Sequence, residues 1–192
     1  MRRLPVCRTR DDAGKSLNHG AWWRGIRPAS GPGGGQVALV WVPHFLFTFH
    51  MESPQAPGET TVSVDACSAA FAIFQMEEDL LDTPPAEGEV LPGLVPRDEA
   101  LKTGRHRLVQ AIMRRRGSHG PKPVPGELLR EETILFPFWL AYVTRKDGRL
   151  DIRLHNAATG EPGGNQTRTG VLHAFVALSR DQEGDPPGKG RA

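Results

Sequence analysis

Hydrophobic and polar positions alternate in the same way along two stretches of this chain. Val42-Pro43-His44-Phe45-Leu46-Phe47-Thr48-Phe49 is echoed by Phe136-Pro137-Phe138-Trp139-Leu140-Ala141-Tyr142-Val143, and a shorter alternating run follows each, at residues 60–66 and 150–156. Successive side chains of a strand point to opposite faces. Phe45, Phe47 and Phe49 therefore share one face, predicted to be the core, and His44, Leu46, Thr48 and His50 the other. Pro43 has no N–H to donate, so the strand over residues 37–49 must begin, bulge or meet an edge there. Residues 51–60 read as a loop, and 61–64 return as a strand with Val62 and Val64 inward. In the second copy, Arg145-Lys146-Asp147-Gly148-Arg149 turns the chain after an apolar run over 134–144. Asp-Gly between alternating strands is a strong hairpin signal, because a type I′ turn needs positive φ at both central residues. Leu150, Ile152 and Leu154 should then face inward, and Asp151, Arg153 and His155 outward to water.

Three helices are predicted from apolar spacings of three and four. Residues 68–81 carry Phe71, Phe74, Leu80 and Leu81, although 69–74 has no polar break and also suits a strand. Residues 167–178 carry Val171, Leu172, Phe175 and Leu178. Residues 104–116 carry Leu108, Val109, Ile112 and Met113, stopped by Gly117, and a Pro/Gly linker follows at 118–126. The pattern predicts an α+β domain: an antiparallel sheet of two duplicated strand–strand(–helix) units with helices on one face. Its bounds are 36–179, with units at 36–82 and 127–179 joined by a helical insertion and linker at 83–126. Phe45, Phe47, Phe49, Trp139, Ile152, Leu154 and Phe175 should be core.

Composition adds the ends. Residues 1–35 hold seven bases against Asp11 and Asp12 and close on Gly31-Pro32-Gly33-Gly34-Gly35, while 180–192 are rich in Gly, Pro and charge. Such segments bury too little surface to offset about 1–2 kcal/mol of backbone entropy per residue, so both are expected to be disordered. Cys7 and Cys67 are too few for a disulfide framework, and no CxxC offers a zinc ribbon. The N-terminus lacks the apolar stretch of a secretory signal. The longest apolar run, 13 residues at 37–49, is shorter than the roughly 20 that cross a bilayer. A cytoplasmic protein without membrane insertion is expected.

Candidate chemistry is sparse. Gly31 to Gly35 precedes a strand, the wrong order for a phosphate loop. Gly160-Glu161-Pro162-Gly163-Gly164-Asn165-Gln166-Thr167 has the right order, strand then loop then helix, but no Lys-Ser/Thr. It reads as a tight loop with a helix cap at Asn165 or Thr167, and Gly163, Gly164 and Thr167 are the candidate anion contacts. The seven histidines show no metal-ligand spacing, and Cys67 reads as a small buried hydrophobe. Eight carboxylates and one base lie between Glu77 and Glu99; six bases and no acid lie between Lys102 and Arg116. Either the two balance one another, or Arg105, Arg107, Arg114, Arg115 and Arg116 contact a polyanion.

Ile152-Arg153-Leu154-His155-Asn156-Ala157-Ala158-Thr159-Gly160-Glu161, behind a proline–aromatic strand and a hairpin, resembles PepSY-like small α+β modules, where a strand ends in a short D/N-A-x-T-G turn. Val62-Ser63-Val64-Asp65-Ala66 matches it more loosely. The resemblance implies a non-catalytic binding or inhibitory unit with no active-site residues. The expected function is a non-enzymatic protein-binding or scaffold module, needing no cofactor or metal. Its rivals are a nucleic-acid accessory protein using 102–116 and a small-ligand enzyme using 160–167.

Overall fold

Two long strands, rich in the β-branched and aromatic residues that suit a pleated buried surface, form the centre of the molecule. The computed structural model describes residues 1–18, 27–28, 37–53, 58–114, 122–144 and 147–183. Its strands are β1 (Arg2–Arg3), β2 (Arg27–Pro28), β3 (Val37–Glu52), β4 (Gly58–Asp65), β5 (Phe71–Ile73), β6 (Glu89–Val90), β7 (Val124–Thr144) and β8 (Leu150–Asn156). The helices are α1 (Arg10–Asn18), α2 (Arg97–Arg114) and α3 (Asn165–Glu183). The fold is α+β, with one eight-stranded sheet in which β3 and β7 are antiparallel neighbours. β4 and β8 flank them, each antiparallel to its long partner, and β1 and β6 add two short parallel pairings.

The surroundings of the two strand prolines match. β4 pairs with β3 from His44 onward, and β8 with β7 from Phe138 onward, each one residue past the proline. β6 runs beside Val40 and Trp41; β1 runs beside Ile134 and Leu135, again two and three residues before the prolines. Leu91 then donates its amide to the Trp41 carbonyl (2.9 Å), and Leu4 to that of Leu135 (3.0 Å). Both leucines precede a proline and lead to a helix opening Arg-Asp, Arg10-Asp11-Asp12-Ala13 and Arg97-Asp98-Glu99-Ala100, whose alanines are fully buried. The leading strand of the first half thus pairs with the second half's long strand, and the reverse.

Both faces of the sheet are covered. Alternation puts Trp41, Phe47, Phe49, Leu135 and Trp139 on one face, under α1 and α2. Val42, Phe138, Ile152 and Leu154 lie on the other, under α3, and Leu46 and Ile134 beside them meet Leu4, Phe74 and Leu80. Helices therefore occupy both faces rather than one. The expected disorder of 1–35 fails for residues 1–18, because Leu4, Ala13 and Leu17 find apolar contacts that so basic a segment conceals. Residues 19–26 and 29–36 lie outside the described residues, as do 184–192; α3 itself continues past 180 to Glu183. α1 also reverses the expected exposure of β8, since His155 is buried and Arg153 is half-buried, its Nη1 donating to the Leu17 carbonyl (2.6 Å).

Residues 68–81 are not a helix. They form a turn, β5 and a 3-10 turn at Glu77–Asp79, because the run without a polar break pairs with β4 at the sheet edge. α2 begins seven residues earlier than predicted, at Arg97, behind Pro96 and with Asp98 and Glu99 favourably placed at its N-terminus. The expected linker at 118–126 is strand from Val124 on, and its first part is outside the described residues. Among the expected core residues, Phe47, Phe49, Trp139, Ile152 and Leu154 are buried, whereas Phe45 and Phe175 are only partly so.

Candidate functional site

β4 is paired with β5 for only part of its length, and a cleft opens where that pairing stops. The ladder covers Val62, Ser63 and Val64, and Phe74 extends it by donating its amide to the Thr61 carbonyl (2.9 Å). Among the described residues, Gly58, Glu59 and Thr60 pair with β3 alone. N–H and C=O groups point the same way at every second residue of an antiparallel strand. Glu59 therefore aims its amide and carbonyl in the direction of Thr61, past the end of β5. The cleft there has a volume of about 460 Å³, within the range of ligand-binding sites.

Three elements shape it. Met51 from β3, Ile73 from β5, and Leu108 and Ile112 from α2 provide apolar lining. α2 approaches because Ala100, Gly104, Leu108 and Ile112 make a stripe at spacing four, and Gly104 lets the helix lie against Val62 and Val64. Ser53, Thr60, Thr61 and Gln75 add polar groups, and among the described residues the charged lining, Glu59 and Glu77, is carboxylate. Glu77 pairs with Arg130 at 3.1 Å in an exposed contact.

A second hollow, about 770 Å³, lies between the start of α1 and β6. It is lined by Arg8, Arg10, Glu87 and Glu89 with Trp139 at its base. Around it Arg10 Nε donates to the Val37 carbonyl (2.9 Å), and the indole N–H groups of Trp41 and Trp139 donate to the carbonyls of Glu87 (2.6 Å) and Arg8 (2.8 Å).

Of the predicted polyanion contacts, Arg105, Arg107 and Arg114 are exposed on α2. Arg105 donates to the Gly126 carbonyl and lies 5.4 Å over the Phe49 ring, so it serves the α2–β7 junction. Arg107 bonds to Gln110 one turn on (3.3 Å), and Arg114 is exposed. Arg115 and Arg116 lie outside the described residues. In the predicted anion loop, Gly163 donates its amide to the Leu154 carbonyl (2.8 Å), Gly164 gives its carbonyl to the Arg168 amide (2.9 Å), and Thr167 is half-buried in α3. The Gly163 amide is thus used within the loop, and the Gly164 carbonyl makes the first bond of α3.

Sequence reasoning missed a strip of buried polar groups across β3 and β4. His44 Nδ1 lies 2.8 Å from Ser63 Oγ, and Thr48 Oγ1 lies 2.9 Å from Thr61 Oγ1. The His44 ring stacks on Phe136 with centroids 3.8 Å apart. Burial pushes the His44 pKa down to about 4, against the opposing pull of the Asp65 carboxylate. The imidazole is neutral at pH 7, and Ser63 is only 2% exposed, so no substrate reaches a Ser–His pair here. Burial, with the Asp65 charge adding to it, pushes the Cys67 thiol up to about 12, consistent with an inert core cysteine. Among the described residues no group of three or more His, Cys, Asp or Glu could hold a metal ion, and no helix is long and apolar enough to cross a membrane. No family model, curated protein or solved structure matches the chain.

Proposed function

We propose that this chain is a protein-binding module built on an internally duplicated scaffold, and that the cleft beside the free end of β4 is where it meets its partner. The observation that carries this reading is the coincidence of a strand edge left unpaired among the described residues with an apolar hollow and a polar rim. A strand edge supplies backbone hydrogen bonds to any extended segment, and pockets beside it select side chains. The matched prolines, leading strands and helices support the duplication, and the strand–turn shared with PepSY-like modules agrees with a binding role. The nucleic-acid reading keeps only Arg107 and Arg114 among the described members of its arginine set, since Arg105 is engaged with Gly126.

Ala111 lines the cleft from α2 without being fully buried, so Ala111→Trp should fill the hollow while leaving the core intact. Selection of a displayed random peptide library on the wild-type protein, with counter-selection on Ala111→Trp, tests the reading. Enriched peptides that bind the wild type and lose at least tenfold on the variant support it. Peptides that bind both alike, or no enrichment at all, overturn it.

A further inference from the structure

Resting on the reading of the cleft as the binding site, we infer that its occupant is an extended peptide segment that adds a strand to β4 and places a cationic side chain beside Glu59. The geometry of the edge and the charge of the lining both point to this class. β5 leaves the edge after Phe74, whose side chain turns into the core under the sheet, while Thr61 and Glu59 continue the strand beyond it. A segment entering there continues the line of β5 and meets the backbone groups of Glu59 at the usual interstrand spacing of about 4.8 Å. Its alternate side chains point into the hollow between Ile73 and Ile112. Those apolar walls take an aliphatic side chain. The carboxylate of Glu59, exposed at the mouth, takes a lysine or arginine.

An anionic occupant is disfavoured, because the Glu59 carboxylate repels it and no base lines the cleft among the described residues, Glu77 being paired with Arg130. A helical occupant leaves the Glu59 amide and carbonyl without partners. The extended, cationic peptide answers both demands. Like charges in such proximity oppose association, so discrimination by sign should be marked.

Three capped decapeptides carrying a fluorophore separate these terms: alternating valine and lysine, alternating valine and glutamate, and the valine–lysine sequence N-methylated at every second residue. Anisotropy titrations at ~150 mM salt are expected to show binding of the valine–lysine peptide, and at least tenfold weaker binding of each other peptide. Glu59→Lys should weaken the valine–lysine peptide at least tenfold, and amide exchange at Glu59 should slow on binding. Equal affinity for the glutamate or N-methylated peptide overturns the proposal, as does valine–lysine binding that survives Glu59→Lys. Failure to bind any of the three also overturns it. If library selection nevertheless yields peptides sensitive to Ala111→Trp but poor in bases, the cleft remains the binding site and only the class of its occupant is wrong.

Discussion

The corner after β4 and the corner after β8 use different residues to the same plan. Asp65 Oδ1 accepts the amides of Cys67 (2.7 Å) and Ser68 (3.2 Å); Asn156 Oδ1 accepts those of Ala158 (2.9 Å) and Thr159 (3.1 Å). The next residue is left-handed in each, Ala69 at φ 56° and Gly160 at φ 82°. Ala66 and Ala157 donate to the carbonyls of Pro43 (2.9 Å) and Pro137 (2.8 Å). After that the halves part. Ala70 to Phe74 stay extended and cover the β4 edge as far as Thr61, whereas Pro162 allows one bridge to His155 and the chain turns into α3. Gly163 makes that exit possible, since a Cβ there would lie 2.6 Å from Leu154 Cβ. A shared corner geometry therefore does not dictate the element that comes next. A proline and a glycine just beyond decide whether the edge gains a strand or a helix.

The largest expected asymmetry concerns the residues two past each strand proline. Trp139 is buried and donates its indole N–H to the Arg8 carbonyl, while Phe45 is half-buried and stacks on Phe47 with ring centroids 6.0 Å apart. Trp139→Ala should cost about 3–5 kcal/mol in urea melts. Phe45→Ala should cost about half as much, because less of its surface leaves water. Equal losses would mean that the two halves are packed alike and that α1 contributes nothing extra.

One residue past the prolines, His44 in the first half corresponds to Phe138 in the second. The folded protein holds the His44 pKa at about 4 against an ordinary 6.5, so the unfolded chain takes up the proton first. Stability contributed by neutral His44 is intact above pH 6.5, falls as pH drops towards 4, and changes no further below that. The full shift amounts to ~3 kcal/mol. His44→Phe, which mimics the second half, should flatten the stability profile between pH 6.5 and 4. A profile unchanged by the substitution would show that other groups carry it, His155 among them, whose pKa is also lowered by burial and by the nearby Arg8 charge.

Much of the β7–β8 hairpin was legible because Leu150, Ile152 and Leu154 alternate with polar residues on a strand that runs into Asp147-Gly148. The first eighteen residues were not, because Leu4, Ala13 and Leu17 are the buried side chains described in a basic stretch, and their burial exists only once the sheet is present. The same segment takes Arg153 partly out of water, through its bond to the Leu17 carbonyl, against the polar alternation of β8. The Leu-Pro and Arg-Asp signals of both halves were present at Leu4-Pro5 and Leu91-Pro92, separated from the strands by unequal connections that hid the match. The cleft was illegible for a different reason. It depends on where a ladder ends and how close Gly104 lets α2 approach, and neither has a local sequence signature.

The corners themselves offer a finer comparison. Asn156→Ala removes two amide bonds to one oxygen and should cost about 1–2 kcal/mol, at roughly 1 kcal/mol per neutral hydrogen bond. Asp65→Asn, which gives the first corner the second's side chain, keeps an oxygen for the two amides but loses the acceptor for Ser68 Oγ (2.6 Å). It should cost less than about 1.5 kcal/mol on the same scale. A larger loss from Asp65→Asn than from Asn156→Ala, by denaturant titration, would show that the charge at Asp65 and not its geometry holds the corner.

The smallest effects come from the left-handed position. A residue with a Cβ is strained there by about 1–2 kcal/mol, while glycine gives back about 0.5–1 kcal/mol through its greater freedom in the unfolded chain. Ala69→Gly should therefore stabilise the protein, by roughly 0.5 kcal/mol on balance. Gly160→Ala should do the opposite and by more, because a Cβ at Gly160 would lie 2.8 Å from Arg8 Nε as well as adopting φ 82°. Arg8 can swing aside, so the loss should stay near ~1–2 kcal/mol, the strain alone. Melting both variants beside wild type gives the sign directly. If Ala69→Gly destabilises, the methyl of Ala69 must contribute more by packing against the α2 side of the sheet, where it borders the Phe47 cluster, than its backbone strain costs.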